Sequence, residues 1–333
     1  MPVNGIDRLI ACLLLSACFF MPKAASAEQG QDIMTAVDEM RQSYRDMIPM
    51  AGVGEPVASI KDENIQAENP ARSIPLRIYT PLQEKPQANL PVFLFAHGGG
   101  FISGDLDTHD VLLRGICSGA KCIVVSVGYR LAPEHPFPAG LEDVYAALLW
   151  TREHTAALGG DKTRIVVGGD SAGGNLAASL ALLARDRKGP KLAGQWLMYP
   201  TVSNRMDTES WKKLGDEHFP TRELNGIMIA AYIAEGTSID DPLAAPLWAD
   251  LKNLPPALVQ VGGFDPLSDE CRQYAQKLVE SGNETRFLFY PEHPHGFLQF
   301  YKNGQDFPGA QPAFEQGLDW LRKIFARTTP AGQ

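Results

Sequence analysis

From about residue 74 onward, short apolar runs alternate with amphipathic stretches, and that rhythm restricts the fold more than any other feature of the chain. The runs cover residues 74–79, 92–96, 123–127, 165–167, 195–199, 257–261 and 286–290. Several are unbroken Val/Ile/Leu/Phe runs, the pattern of strands covered on both faces. Between them, 141–154 places Val144, Ala147, Leu148 and Thr151 at helical spacing, and 175–187, 269–281 and 312–325 read similarly. Strand alternating with helix predicts an α/β fold, with a mostly parallel central sheet and helices on both faces. Two segments break the rhythm. A helix is expected over 34–47, before the sheet begins, and 201–240 separates two strands by far more than an ordinary crossover. Long excursions of this kind form lids or binding elements. Segments of about 28–60 and 201–240 are therefore expected to build a helical cap over the carboxyl end of the sheet, where ligands bind in open α/β folds.

The first residues read as an address. Residues 9–21 are apolar except for Ser16, with Arg8 before them and Ala25-Ser26-Ala27 after. Charged, apolar and small-residue regions in that order make a secretory signal peptide. The run is too short for a comfortable membrane span, which needs about 20 residues. Cleavage after Ala27 is the preferred reading, leaving 28–333 as one domain. Leu15-Ser16-Ala17-Cys18 offers a second: lipidation at Cys18, which would place the protein on a membrane. Either way the expected location is periplasmic or secreted. Beyond the leader, Cys117, Cys122 and Cys271 show no metal-ligand spacing. Cys122 opens an apolar run and reads as a small core residue; a Cys117–Cys122 bridge is the rival reading.

The chain carries 39 acidic and 30 basic side chains, a net charge of −9, and no Lys/Arg-rich run. That argues against nucleic acid as a partner. Apolar residues make up 44% and charged residues 21%, ordinary globular proportions that exclude disorder.

The chemistry is carried by short motifs. Gly169-Asp170-Ser171-Ala172-Gly173 is a G-x-S-x-G pentapeptide. Alone it is weak, but it follows an expected strand and opens an expected helix, the context a nucleophile elbow demands. Upstream, His97-Gly98-Gly99-Gly100-Phe101 directly follows the strand at 92–96. Such a His-Gly-Gly-Gly loop supplies backbone N–H groups to an oxyanion. A serine needs a base, and the base an orienting acid. Beyond Ser171, His293 and His295 stand out after the last expected strand. His295, before a glycine that permits a tight turn, is the choice and His293 the runner-up. Asp265, just past the strand at 257–261, is the expected acid. Asp269 and Glu270 read as first-turn residues of the next helix, where negative charge is favoured.

Taken in order, His97–Gly100, the segment from Tyr129 to Ala139 (YRLAPEHPFPA), Gly169–Gly173, Asp265-Pro266-Leu267 and His295-Gly296-Phe297 resemble the bacterial hormone-sensitive-lipase family of α/β-hydrolase esterases. The resemblance runs from about Ile74 to the C-terminus. It implies catalytic Ser171, Asp265 and His295, oxyanion donors at the amides of Gly99, Gly100 and Ala172, and a loop shaped by His97 and Gly98. It also implies small-molecule esters as substrates, often with short acyl chains, and neither cofactor nor metal. A homodimer is left open. A deacetylase, amidase or lactonase would use the same residues, and a non-enzymatic hydrolase-fold binding protein would be expected to have lost some of them. His135, among Pro133, Pro136 and Pro138, is read as structural, with Tyr129 and Arg130 bracing its loop. Trp211, Phe219, Met228 and Tyr232 are candidates for an acyl pocket, with cap packing as the plainer reading. Asn283-Glu284-Thr285 matches a glycosylation sequon that a bacterial leader makes idle.

Overall fold

All seven apolar runs become strands, and an eighth precedes them. The computed structural model describes residues 26–68, 70–83 and 89–327, so the leader up to residue 25, with Cys12 and Cys18, lies outside the described residues. The chain enters through helix α1 (Ser26–Asp46) and then forms β1 (Ser59–Ala67), β2 (Arg72–Thr80) and β3 (Leu90–Ala96). Next come α2 (Asp110–Ala120), β4 (Ile123–Val127), α3 (Ala139–His154), β5 (Gly160–Asp170), α4 (Ala172–Asp186) and β6 (Gly194–Met198). Two short helices, α5 (Glu209–Leu214) and α6 (Arg222–Tyr232), fill the excursion. Then β7 (Ala257–Phe264), α7 (Ser268–Glu280), β8 (Thr285–Pro294) and α8 (Ala310–Phe325) complete the fold.

Among the described residues the sheet has eight strands in the order β1-β2-β4-β3-β5-β6-β7-β8. β2 pairs antiparallel with both β1 and β4; all other pairings are parallel. Every residue of β3, β4 and β6 is buried, so cover lies on both faces of the sheet. β1 was not expected. Its sequence, SIKDENIQA, leaves one residue buried and shows no alternating apolar face, so only its pairing with β2 identifies it. Because β1 starts at Ser59, the N-terminal excursion ends just short of that residue.

The core is closed by aromatic side chains. Trp196 on β6 packs between Phe93 and Phe314, with ring centroids 5.9 and 6.2 Å away. Gly317 in α8 permits this, since a Cβ there would lie 2.0 Å from the indole. The buried indole N–H is not orphaned: it donates to Gln260 Oε1 at 2.6 Å, and Gln260 Nε2 donates to Tyr290 Oη and the Ala313 carbonyl. Cys117, Cys122 and Cys271 are buried free thiols, so Cys122 is the small core residue expected and the Cys117–Cys122 bridge is not formed. Among the described residues no helix is long and apolar enough to cross a membrane.

Three devices fix the elements near the carboxyl ends of the strands. Arg130 and Arg72 both pair with buried Asp143, which anchors the loop between β4 and α3. Arg41 on α1 reaches the Ile102 and Ala132 carbonyls and Glu134, tying the N-terminal helix to two loops. Glu270 on α7 is fully buried; it accepts the Val202 and Ser203 N–H groups and the Trp211 indole N–H. Asp269 accepts the Ser210 N–H. The two acids expected merely to decorate a helix start thus fasten α5 and the 201–203 loop to α7.

Candidate active site

Ser171 stands on the turn from β5 to α4 with φ 54° and ψ −120°, a conformation L-residues rarely adopt. Neighbouring backbone leaves no room for side chains beside it. A Cβ at Gly169 would lie 2.2 Å from the Gly173 carbonyl oxygen, and one at Gly173 would lie 2.0 Å from that of Ala96. Both glycines of the pentapeptide are therefore steric requirements of a tight strand–turn–helix.

Asp265 follows β7 and is completely buried. Its Oδ1 accepts the Leu267 N–H at 2.8 Å, and its Oδ2 lies 2.8 Å from His295 Nδ1. His295 Nε2 in turn lies 2.9 Å from Ser171 Oγ. Gly296, with φ 81°, supplies the turn that follows the imidazole. Tyr199 and Phe219 flank that ring at 4.8 and 5.6 Å. An imidazole held between a carboxylate and a hydroxyl can take the hydroxyl proton and be stabilised as it charges. His293 does not reach this point. It lies against Phe297 and Tyr290, where burial lowers its pKa. His135 is exposed, in the loop between β4 and α3.

The loop after β3 is held at several backbone groups. The His97 carbonyl accepts the Tyr129 hydroxyl at 2.7 Å, and the two rings stack at 4.3 Å. The Gly98 N–H donates to Asp170 Oδ1 at 2.8 Å. The Gly99 carbonyl takes the Ile102 and Ser103 N–H groups and the Ser103 hydroxyl. Gly99 and Gly100 have φ 117° and 62°, open only to glycine at low cost. Burial and the nearby His109 push His97 down to about 4, so its ring is neutral. Among the described residues the amides of Gly99, Gly100 and Phe101, and that of Ala172 beside Ser171, have no protein acceptor.

The α/β-hydrolase fold family matches residues 93–299, a span that contains all of these groups. The chain belongs to that family. It is 42% identical over 255 residues to the carboxylesterase NlhH of Mycobacterium tuberculosis, covering 75% of this chain and 78% of that one. It is 36% identical over 262 residues to an arylesterase of Saccharolobus solfataricus, covering 78% and 84%. Among solved structures, a hyperthermophilic esterase from the archaeon Pyrobaculum calidifontis superposes with a TM-score of 0.84 at 33% identity, over 97% of this chain and 99% of that one. The resemblance to hormone-sensitive-lipase esterases read from the motifs therefore stands for the fold and for ester hydrolysis.

A narrow pocket opens onto Ser171 and His295. The 201–240 excursion contributes Phe219, Pro220, Asn225, Met228 and Ile229 to its lining. Of the four cap residues singled out in the sequence, Phe219 and Met228 line it. Trp211 is instead buried against Glu270, and Tyr232 stacks on Phe101 at 3.6 Å. The opposite wall was missed. Tyr44 and Met47, in and just after α1, join Gln299 and Phe300 there. Tyr44 and Gln299 are bonded through Oη and Oε1 at 3.2 Å across 255 residues of chain, a separation that no local pattern signals. Among the described residues no cluster of His, Cys, Asp or Glu could hold a metal ion.

Proposed function

We propose that this protein hydrolyses small-molecule carboxylic esters of short to medium acyl chain through an acyl-enzyme on Ser171. His295 takes the Ser171 proton as Oγ attacks the ester carbonyl. Asp265 holds the imidazole in the required orientation and balances its positive charge. The amides of Gly99, Gly100 and Ala172 receive the developing oxyanion. His295 then gives its proton to the leaving alcohol, and a water molecule, activated by the same imidazole, releases the acid. Every proton and charge in this sequence is handled by groups of the chain itself. The observation that carries the reading is the continuous Asp265–His295–Ser171 contact, 2.8 and 2.9 Å long, beside amides with no acceptor of their own. Ser171→Ala should lower kcat on p-nitrophenyl acetate by at least about 10³-fold, leaving only what binding and the oxyanion loop supply. Turnover within tenfold of wild type would overturn the assignment.

We also propose that the protein is exported. The support is the order of charged, apolar and small residues from Arg8 to Ala27. Mass spectrometry of protein recovered from the native host should find Glu28 at the N-terminus. A lipid-modified Cys18 would establish the anchored alternative, and an intact residue 1 would overturn export.

A further inference from the structure

Asp170, the residue before Ser171, is a buried carboxylate that the Asp265–His295–Ser171 contact leaves unused. One of its oxygens accepts the Gly98 N–H at 2.8 Å. His109 Nε2 lies 3.1 Å from that same oxygen and 3.2 Å from the other. His109 is fastened in turn. Its Nδ1 meets Thr108 Oγ1 at 2.9 Å, and the Thr108 carbonyl accepts Gln299 Nε2 at 3.0 Å. The rings of His97 and Phe95 flank it at 5.8 and 5.7 Å. A side chain at Gly98 would end this arrangement, since its Cβ would lie 2.5 Å from Asp170 Oδ2.

A buried carboxylate beside a position where another anion forms is unfavourable unless something compensates it. Here the donors at Gly98 and His109 do so. The Gly98 contact also has a geometric effect. It fixes the peptide that immediately precedes the Gly99 and Gly100 amides, neither of which has an acceptor of its own. If Gly98 were free to rotate, those amides would have to be reoriented in each turnover, and preorganised donors are what make an oxyanion site effective.

We propose that Asp170, held in place by His109, is the positioning residue of the oxyanion loop, acting through the Gly98 amide to aim the Gly99 and Gly100 N–H groups at the reacting carbonyl. The inference rests on Ser171 being the nucleophile. Running Ser171→Ala alongside separates the two failures: turnover retained there sinks the site itself, whereas unaltered turnover in the Asp170 variants sinks only the loop's dependence on Asp170.

The test compares kcat, KM and the affinity for a trifluoromethyl ketone, whose serine adduct places an oxyanion in the loop. Asp170→Ala should lower kcat by about 10²-fold or more, the effect of losing an oxyanion donor, with KM within about threefold. Affinity for the ketone should fall by the same factor as kcat. Asp170→Asn keeps an oxygen for the Gly98 N–H and should recover kcat and ketone affinity to within tenfold of wild type. A lower melting temperature with unchanged kcat per folded molecule, or a loss in kcat that leaves ketone affinity untouched, would overturn the proposal. Should Asp170→Ala fail to fold, His109→Phe decides. It removes the Nε2 contact while keeping a ring of similar size, and kcat and ketone affinity should fall together by at least tenfold. No change in either overturns the proposal.

Discussion

At the scale of single residues, the tightest constraints are steric, and they can be tested by adding one carbon atom. Gly173 faces backbone that cannot swing aside, so Gly173→Ala should cost about 1–3 kcal/mol or more and remove most turnover by deforming the Ser171 turn. Gly226, inside α6, is the contrasting case. Nothing lies within 4 Å of a Cβ built there, so Gly226→Ala should stabilise the protein by about 0.5–1 kcal/mol. Urea midpoints measure both, and equal effects would refute the steric reading of the elbow. Residues of this kind were legible in the sequence because each motif encodes a local backbone shape. Ser171, His295, Asp265 and the glycines at 98–100 all announce themselves within five residues of chain. Asp170 lay in plain view inside the pentapeptide, yet its partner His109 is 61 residues away and only the fold joins them.

Among the elements, α7 links chemistry to cover. It begins just after Asp265, and its buried Glu270 holds the 201–203 loop and Trp211 of α5. Burial, helped by the charge of Asp265, pushes the Glu270 carboxyl up to about 8 from 4.5. In the unfolded chain the proton is lost near 4.5, so between those values the folded state binds one more proton than the unfolded state. Stability attributable to this group is full below about 4.5 and declines as pH rises toward 8. Glu270→Gln removes the titration. Its stability relative to wild type should therefore improve from pH 5 to pH 8, by at most about 1.4 kcal/mol per pH unit. Urea titrations across that range measure it, and a difference independent of pH would refute the assignment. The helices of the cap carried signals that the sequence reading passed over. Thr208 and Thr221 each cap a helix N-terminus, accepting the Trp211 and Leu224 N–H groups. α2 also has helical spacing in Val111, Leu112, Ile116 and Ala120. β1 is different: with a charged, largely exposed sequence it has no signature until β2 lies beside it.

On the scale of the whole molecule, one pocket is closed by two segments far apart in the chain, α1 with its following turn and the 201–240 excursion. Seven strands of a mostly parallel sheet were readable from the alternation of runs, but not β1 or the strand order, and the meeting of these two covers was readable only as an expectation about where excursions go. Phe219, Met228 and Ile229 on one side and Met47 and Phe300 on the other leave a narrow apolar space. Turnover of p-nitrophenyl esters should therefore peak between acetate and hexanoate and fall at decanoate; a maximum at decanoate or beyond would show that the covers part widely in solution. The three buried free thiols among the described residues bear on the proposed export. Among the described residues no thiol pairs with another, so no oxidant is needed to close a bridge between them. Native protein processed after Ala27 should be silent to an aromatic disulfide reagent and yield three thiol equivalents once denatured, against five for a chain that still carries Cys12 and Cys18. A colorimetric sulfhydryl count thereby becomes a gauge of leader removal.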